Sequence, residues 1–223
     1  MDWQGYLHPL AQGAWVTMEL TVYSTVLGGL MSFLAGIGKL SSNPLIKAVS
    51  VVYIEVFRGT SLLVQLFWLY FVLPIAGDMI GIDLRLPPVA AGVLALGLNI
   101  GAYGAEVVRG AIQSVNPSQY EAATALNFTP RQALWRVALP QAIPEMMPSF
   151  SNLAVQNLKD TALASLISLS DLAFKAEQLR NYYQDSTTIY TMILFMYFGM
   201  ALVLSGMMRL LEHSVGRLRE PRY

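Results

Sequence analysis

A helix needs roughly 20 apolar residues to cross the ~30 Å hydrocarbon core of a bilayer, and this chain offers runs of that length repeatedly. They are LTVYSTVLGGLMSFLAGIG (20–38), GTSLLVQLFWLYFVLPIAG (59–77), LPPVAAGVLALGLNIGAYGA (86–105), MMPSFSNLAVQNLKDTALASLISLS (146–170) and STTIYTMILFMYFGMALVLSGMM (186–208). Such runs are too long for the helices of a soluble core. With 55% hydrophobic and only 13% charged residues, the chain is predicted to be an all-α membrane protein. About five transmembrane helices are expected, at about 15–38, 55–77, 86–111, 146–169 and 187–210, in one domain covering 1–223. The fourth run alone carries charges, Lys159 and Asp160, near its middle.

The opening residues MDWQGYLHPL have no basic region and no small-residue cleavage pattern, so the first span is predicted to stay rather than be removed as a signal peptide. No cysteine is present and the two histidines, His8 and His213, are isolated, so neither disulfides nor a metal site is expected. Five spans put the termini on opposite sides, and Lys and Arg in short loops favour the cytoplasm. With the amino terminus outside, the cytoplasmic tally is Lys39, Lys47, Arg58, Arg109, Arg131, Arg136, Arg209, Arg217, Arg219 and Arg222, against Arg85, Lys175 and Arg180 outside. The carboxyl terminus and the segment at about 113–140 are therefore predicted to be cytoplasmic.

That segment interrupts the apolar pattern with dense helix punctuation. Ser118 with Glu121 has the capping-box spacing, Asn127 suits a left-handed helix stop, and Thr129-Pro130 with Gln132 begins a second helix that Pro140 is expected to close. Two short helices at an angle result. The segment could lie on lipid headgroups with its basic residues toward anionic lipid. Against this, EAATAL has little bulk to bury in lipid, and its small residues suit close approach to another backbone.

The order Glu121-Ala122-Ala123, a helix terminator at Asn127, then Leu139-Pro140 resembles the EAA loop of the membrane subunits of binding-protein-dependent ABC importers. VFRGTSLLVQLF (56–67), AYGAEVVRGAIQSV (102–115), LPQAIP (139–144) and LKDTALASLI (158–167) are similar to signatures of the polar amino acid permease branch. Asn127 and Ser118 stand where that family usually has Gly, and Ser61 where it usually has Pro. The resemblance implies that Glu121, Ala122, Ala123, Asn127, Arg131, Leu139 and Pro140 belong to a coupling element that docks on a cytoplasmic ABC ATPase dimer. It also implies a second permease chain, identical or related, an extracytoplasmic substrate-binding protein, and a bacterial inner-membrane location. No G-x-x-x-x-G-K-[ST] motif occurs, GIGKLSS lacking the spacing, so ATP and Mg are expected on the partner and no cofactor or nucleic acid on this chain. Glu121 either caps its own helix or pairs with a basic residue of the ATPase.

Ionisable and polar groups inside spans are functional candidates by default. Lys159, Asp160, Gln156 and Thr161 in the fourth span, with Glu55 near the second, are the candidate pathway residues, the alternative being that the charges serve packing between spans. Lys159 and Asp160 lie ~100° apart around a helix and so should have different partners. Glu55 and Arg58 either anchor the second span or line an inner gate, and Glu106 with Arg109 is read as a surface ion pair. Ser24, Gly28, Ser32 and Gly36, and Gly97, Gly101 and Ala105, recur every four residues and should pack helices closely, within one subunit or between two. Residues 171–185 are predicted to form an external amphipathic helix that packs over the spans or meets the binding protein. The expected function is the permease subunit of an ATP-driven importer of a polar amino acid or similar small zwitterion, a compatible solute such as ectoine included. The alternative is an ATP-independent solute or ion channel, and an embedded enzyme is more remote.

Overall fold

The computed structural model describes residues 3–216. Arg217, Arg219 and Arg222, which contribute to the charge count, lie outside the described residues. The helices are α1 (Trp3–Lys39), α2 (Pro44–Gly59), α3 (Leu62–Met79), α4 (Pro88–Ser114), α5 (Pro117–Ala125), α6 (130–160), α7 (Leu172–Tyr183) and α8 (Ser186–Gly216). A 3₁₀ segment, Thr161–Ile167, joins α6 to α7. Among the described residues four helices are long and apolar enough to cross a membrane: Gly5–Lys39, Leu62–Met79, Pro88–Ser114 and Ser186–Val215. The fourth expected span corresponds to Leu139–Asp160 plus the 3₁₀ turns, a more polar element packed against α1, α4 and α8.

Several bounds differ from the sequence reading: the first helix begins at Trp3 rather than near 15, and the fourth is already helical at Leu139 rather than from about 146. The second span does not begin at Glu55: α2 is a separate helix that ends at Gly59, and α3 starts again at Leu62. Nor does Pro140 close a short helix. Residues Leu134–Ala138 adopt a π turn in which the Leu139 N–H donates to the Leu134 carbonyl, and the helix then runs on to Asp160. The same device occurs in α3, where the π turn Trp68–Val72 precedes Leu73-Pro74. A proline ring collides with the carbonyl four residues earlier in a regular α-helix, and widening the preceding turn relieves the collision without ending the helix.

The closest packing is between α1 and α4. A Cβ on Gly28 would stand 2.2 Å from Ile100 Cγ2, one on Gly36 2.7 Å from the Ala105 carbonyl oxygen, and one on Gly101 2.7 Å from Met31 Cβ. Ser32 Oγ donates to the Gly28 carbonyl at 2.6 Å and approaches the Gly101 carbonyl at 3.3 Å. The two small-residue rows thus face each other within one subunit, where dispersion and weak polar contacts replace the absent hydrophobic drive. Gly36→Leu would press on the Ala105 carbonyl and on the fully buried, β-branched Val108, so loss of a monodisperse protein in size-exclusion chromatography is expected.

At the opposite end from α5, helix α7 seals the bundle. Leu172, Ala176 and Leu179 pack with Tyr6, Leu10 and Ile189, on the expected helical face. Asp171 caps α7 by accepting from the Phe174 N–H at 2.9 Å, and the Leu172 N–H donates to Thr17 Oγ1 at 3.1 Å. Asp171 is fully buried and its Oδ2 has no hydrogen-bond partner among the described residues. Burial therefore raises its pKa from 3.8 to about 6, against the pull of the cap N–H groups. A raised carboxyl pKa means that stability is full below the ordinary value and is lost as pH climbs to the folded one. The loss is at most about 3 kcal/mol once Asp171 is ionised. Asp171→Asn keeps a good cap, so it should raise the thermal midpoint at pH 7.5 and leave it nearly unchanged at pH 4. A midpoint difference independent of pH would refute this.

Candidate functional site: a broken helix and a protruding loop

Breaking a helix inside the bundle leaves its last carbonyls without partners, a cost that must be met by side chains. Between α2 and α3, Thr60 and Ser61 are extended. Gln65 Nε2 donates to the Phe57 carbonyl (2.9 Å), the Thr60 carbonyl (3.3 Å) and Thr60 Oγ1 (2.7 Å). From α4, Asn99 Nδ2 donates to the same Phe57 carbonyl and to Gln65 Oε1, both at 3.1 Å. Two amides inside apolar runs thereby hold the break open midway along α4. Discontinuous helices of this kind are where many transporters build their sites.

The break opens onto a cavity of about 440 Å³ lined by Thr60, Ser61, Asn99, Tyr103, Gln156 and Asp160 among others. Gln156 Nε2 donates to Asp160 Oδ1 at 2.9 Å. Asn157 forms part of the same wall, but its amide ties α6 to α1 through Ser24 Oγ (2.7 Å) and Thr25 Oγ1 (2.9 Å). Of the sequence candidates, Gln156 and Asp160 reach the cavity and three do not. Lys159 lines a separate groove between α6 and α8, with Ser205, Arg209 and Glu212. Thr161 is fully buried and donates to the Leu158 carbonyl at 2.6 Å. Glu55 is exposed on α2, away from the break. Sequence reasoning passed over Gln65, Asn99 and Thr60; the signal available was an amide in each of two otherwise apolar spans.

Toward the α5 end, Glu106 is more than half of a surface pair. Its Oε1 meets Lys39 Nζ at 2.5 Å, its Oε2 meets Arg109 Nε at 2.8 Å, and Arg58 stands 4.0 Å away. The carboxylate joins α1, α2 and α4 at one point.

The loop beyond it is built from two caps. Asn116 accepts from the Ser118 N–H at 3.0 Å and Pro117 takes the first helical position, so Asn116 and not a Ser118–Glu121 box starts α5. Asn127 is left-handed, φ 58°, with its N–H on the Thr124 carbonyl and that of Phe128 on the Ala123 carbonyl, the paired bonds of a Schellman stop. Thr129 and Gln132 then form the expected reciprocal box. Ala123 is buried, whereas Ala122, Glu121 and Arg131 are exposed, and neither charge has a partner among the described residues. Leu126 and Trp135 are also exposed, at 69% and 52%. Leu139 is buried against α4, and Pro140 is exposed where α6 leaves its π turn.

The family described as binding-protein-dependent transport system inner membrane component matches residues 26–217. The chain belongs to this family. A relative in Sinorhizobium fredii, described as a probable amino-acid ABC transporter permease protein, is 73% identical over 100% of this chain and 93% of its own length. An L-cystine transport system permease protein of Bacillus subtilis is 33% identical over 96% of this chain and 89% of its own. Among solved structures, an amino acid ABC transporter crystallised with histidines matches with a TM-score of 0.84 at 35% identity, covering 96% of this chain and 97% of the other. The broken helix, cavity and loop are thus features of a permease.

Proposed function

We propose that this permease is the transmembrane subunit of an ATP-driven importer for a polar amino acid or a similar small zwitterion, a compatible solute such as ectoine lying within the same class. One observation carries the reading. The chain joins a polar cavity at a helix break to a protruding loop whose Glu121 and Arg131 have no partner in the described residues. The cavity suits a small polar solute; Asp160 can meet an ammonium and the amides of Gln156 and Asn99 can meet a carboxylate or side chain. The loop suits a groove on a second protein.

On this reading the α5 end faces the cytoplasm, where an ABC ATPase dimer supplies ATP and Mg, and the α7 end faces an extracytoplasmic binding protein. A second permease chain closes the side of the cavity that one chain leaves open to lipid. The chain itself catalyses nothing. Reconstitution in proteoliposomes with those partners tests this. Uptake of radiolabelled L-histidine, L-glutamine or L-cystine should require both ATP and the binding protein. Nucleotide-independent flux by the permease alone would support a channel instead.

A further inference from the structure

We infer that Arg58 receives the carboxylate of the transported zwitterion at the α5 end of the cavity and thereby selects which charges pass. The inference rests on the reading of the chain as an amino-acid permease. The Glu106 cluster gathers three cations, Lys39, Arg58 and Arg109, around one carboxylate. Both oxygens of that carboxylate are already taken, one by Lys39 and one by Arg109. Arg58, at 4.0 Å, is beyond hydrogen-bond reach and donates to no group among the described residues. Its guanidinium lies over the Tyr103 ring, 5.4 Å from the centroid. A guanidinium carries five donors in a fork that matches a carboxylate, and here the fork is held by a ring face while its donors are left unspent.

The ring that holds it is part of the cavity wall, as are Thr60 and Ser61 just beyond Arg58 in the chain. Asp160 marks the other end of the same cavity. Arg58 does not line the cavity itself but lies against the Tyr103 ring of its wall, so the cavity has a negative group in its wall toward α7 and a positive one beside its wall toward α5. Along α4 the lining residues Leu96, Asn99 and Tyr103 span about 10 Å at 1.5 Å per residue. That exceeds the separation of the two charges of an α-amino acid, so such a solute meets Asp160 and Arg58 in turn. Ammonium capture at Asp160 precedes delivery of the carboxylate to Arg58.

Two measurements on the assembled transporter test this. The chain has no native cysteine, so Thr60→Cys reports the local field through the rates at which an anionic and a cationic methanethiosulfonate react with it. The anionic reagent is expected to gain severalfold over its intrinsic rate ratio, and Arg58→Gln in the same background should abolish that gain. Arg58→Lys should keep it. In proteoliposomes, Arg58→Gln should lower uptake of radiolabelled L-glutamine at least tenfold, with Arg58→Lys recovering only part because it lacks the fork. An unchanged reagent ratio, or full L-glutamine uptake by Arg58→Gln, overturns the role of Arg58. Absence of ATP-driven uptake of any of the three amino acids by the unsubstituted complex overturns instead the reading on which it rests. Should Arg58→Gln fail to assemble, a reagent ratio in Thr60→Cys alone that shows no anionic preference is enough to refute the inference.

Discussion

Asp160→Asn in the assembled transporter should reduce uptake of a zwitterionic amino acid at least tenfold while leaving the complex intact. Asp160 is half-buried, reaches the cavity, and is held by one bond from Gln156 on its own helix. A hydrogen bond to a charged group is worth about 1.5–3 kcal/mol, and each ~1.4 kcal/mol is a factor of ten in affinity. Asn keeps the volume and removes the charge that would attract an ammonium. Packing does not need that charge, because the bonds that tie α6 to α1 come from Asn157. Asn157→Leu should therefore cause the assembly defect that Asp160→Asn avoids. Lys159→Gln, on the groove toward α8, should affect import less than Asp160→Asn does. Unchanged apparent affinity for L-glutamine and L-histidine in Asp160→Asn would remove this residue from the pathway.

The divergence of Lys159 and Asp160 was readable from helical geometry alone, since adjacent residues cannot share a face. That each of the two small-residue rows allows a close helix approach was readable too, because small residues at every fourth position have few other uses in lipid. That the two rows face each other within one subunit was not, for periodicity does not name a partner. The break at Thr60 and Ser61 escaped notice because Ser61 gives no strong stop signal, and the amides that stabilise it lie 8 and 42 residues from the carbonyl they share. Pro140 misled for a physical reason: proline forbids a regular α-helical turn, but the π turn before it satisfies the same sterics and lets the helix continue. Asn116 outcompeted Ser118 as the cap of α5 because Pro117 is best placed at the first helical position, which leaves Asn116 just outside it.

Asn127 provides the sharpest separation of loop from spans. Its backbone is left-handed, and its N–H is spent on the Thr124 carbonyl. Proline fixes φ near −65° and has no N–H, and it also disfavours the helical conformation of the residue before it. Asn127→Pro therefore cannot form the stop between α5 and α6, and the exposed surface of Glu121, Leu126, Arg131 and Trp135 loses its common geometry. Asn127→Gly relieves the small cost that even Asn carries relative to Gly in this conformation and should preserve or tighten the loop. Neither substitution touches a span, so both proteins should insert and purify normally. The ATPase is expected to co-purify with Asn127→Gly as with the unsubstituted chain and to be lost from Asn127→Pro, together with uptake. Glu121→Ala, which leaves the backbone intact and removes one unpaired exposed charge, should weaken co-purification without abolishing the loop. If Asn127→Pro retains its ATPase and transports at the unsubstituted rate, the loop is not the coupling element.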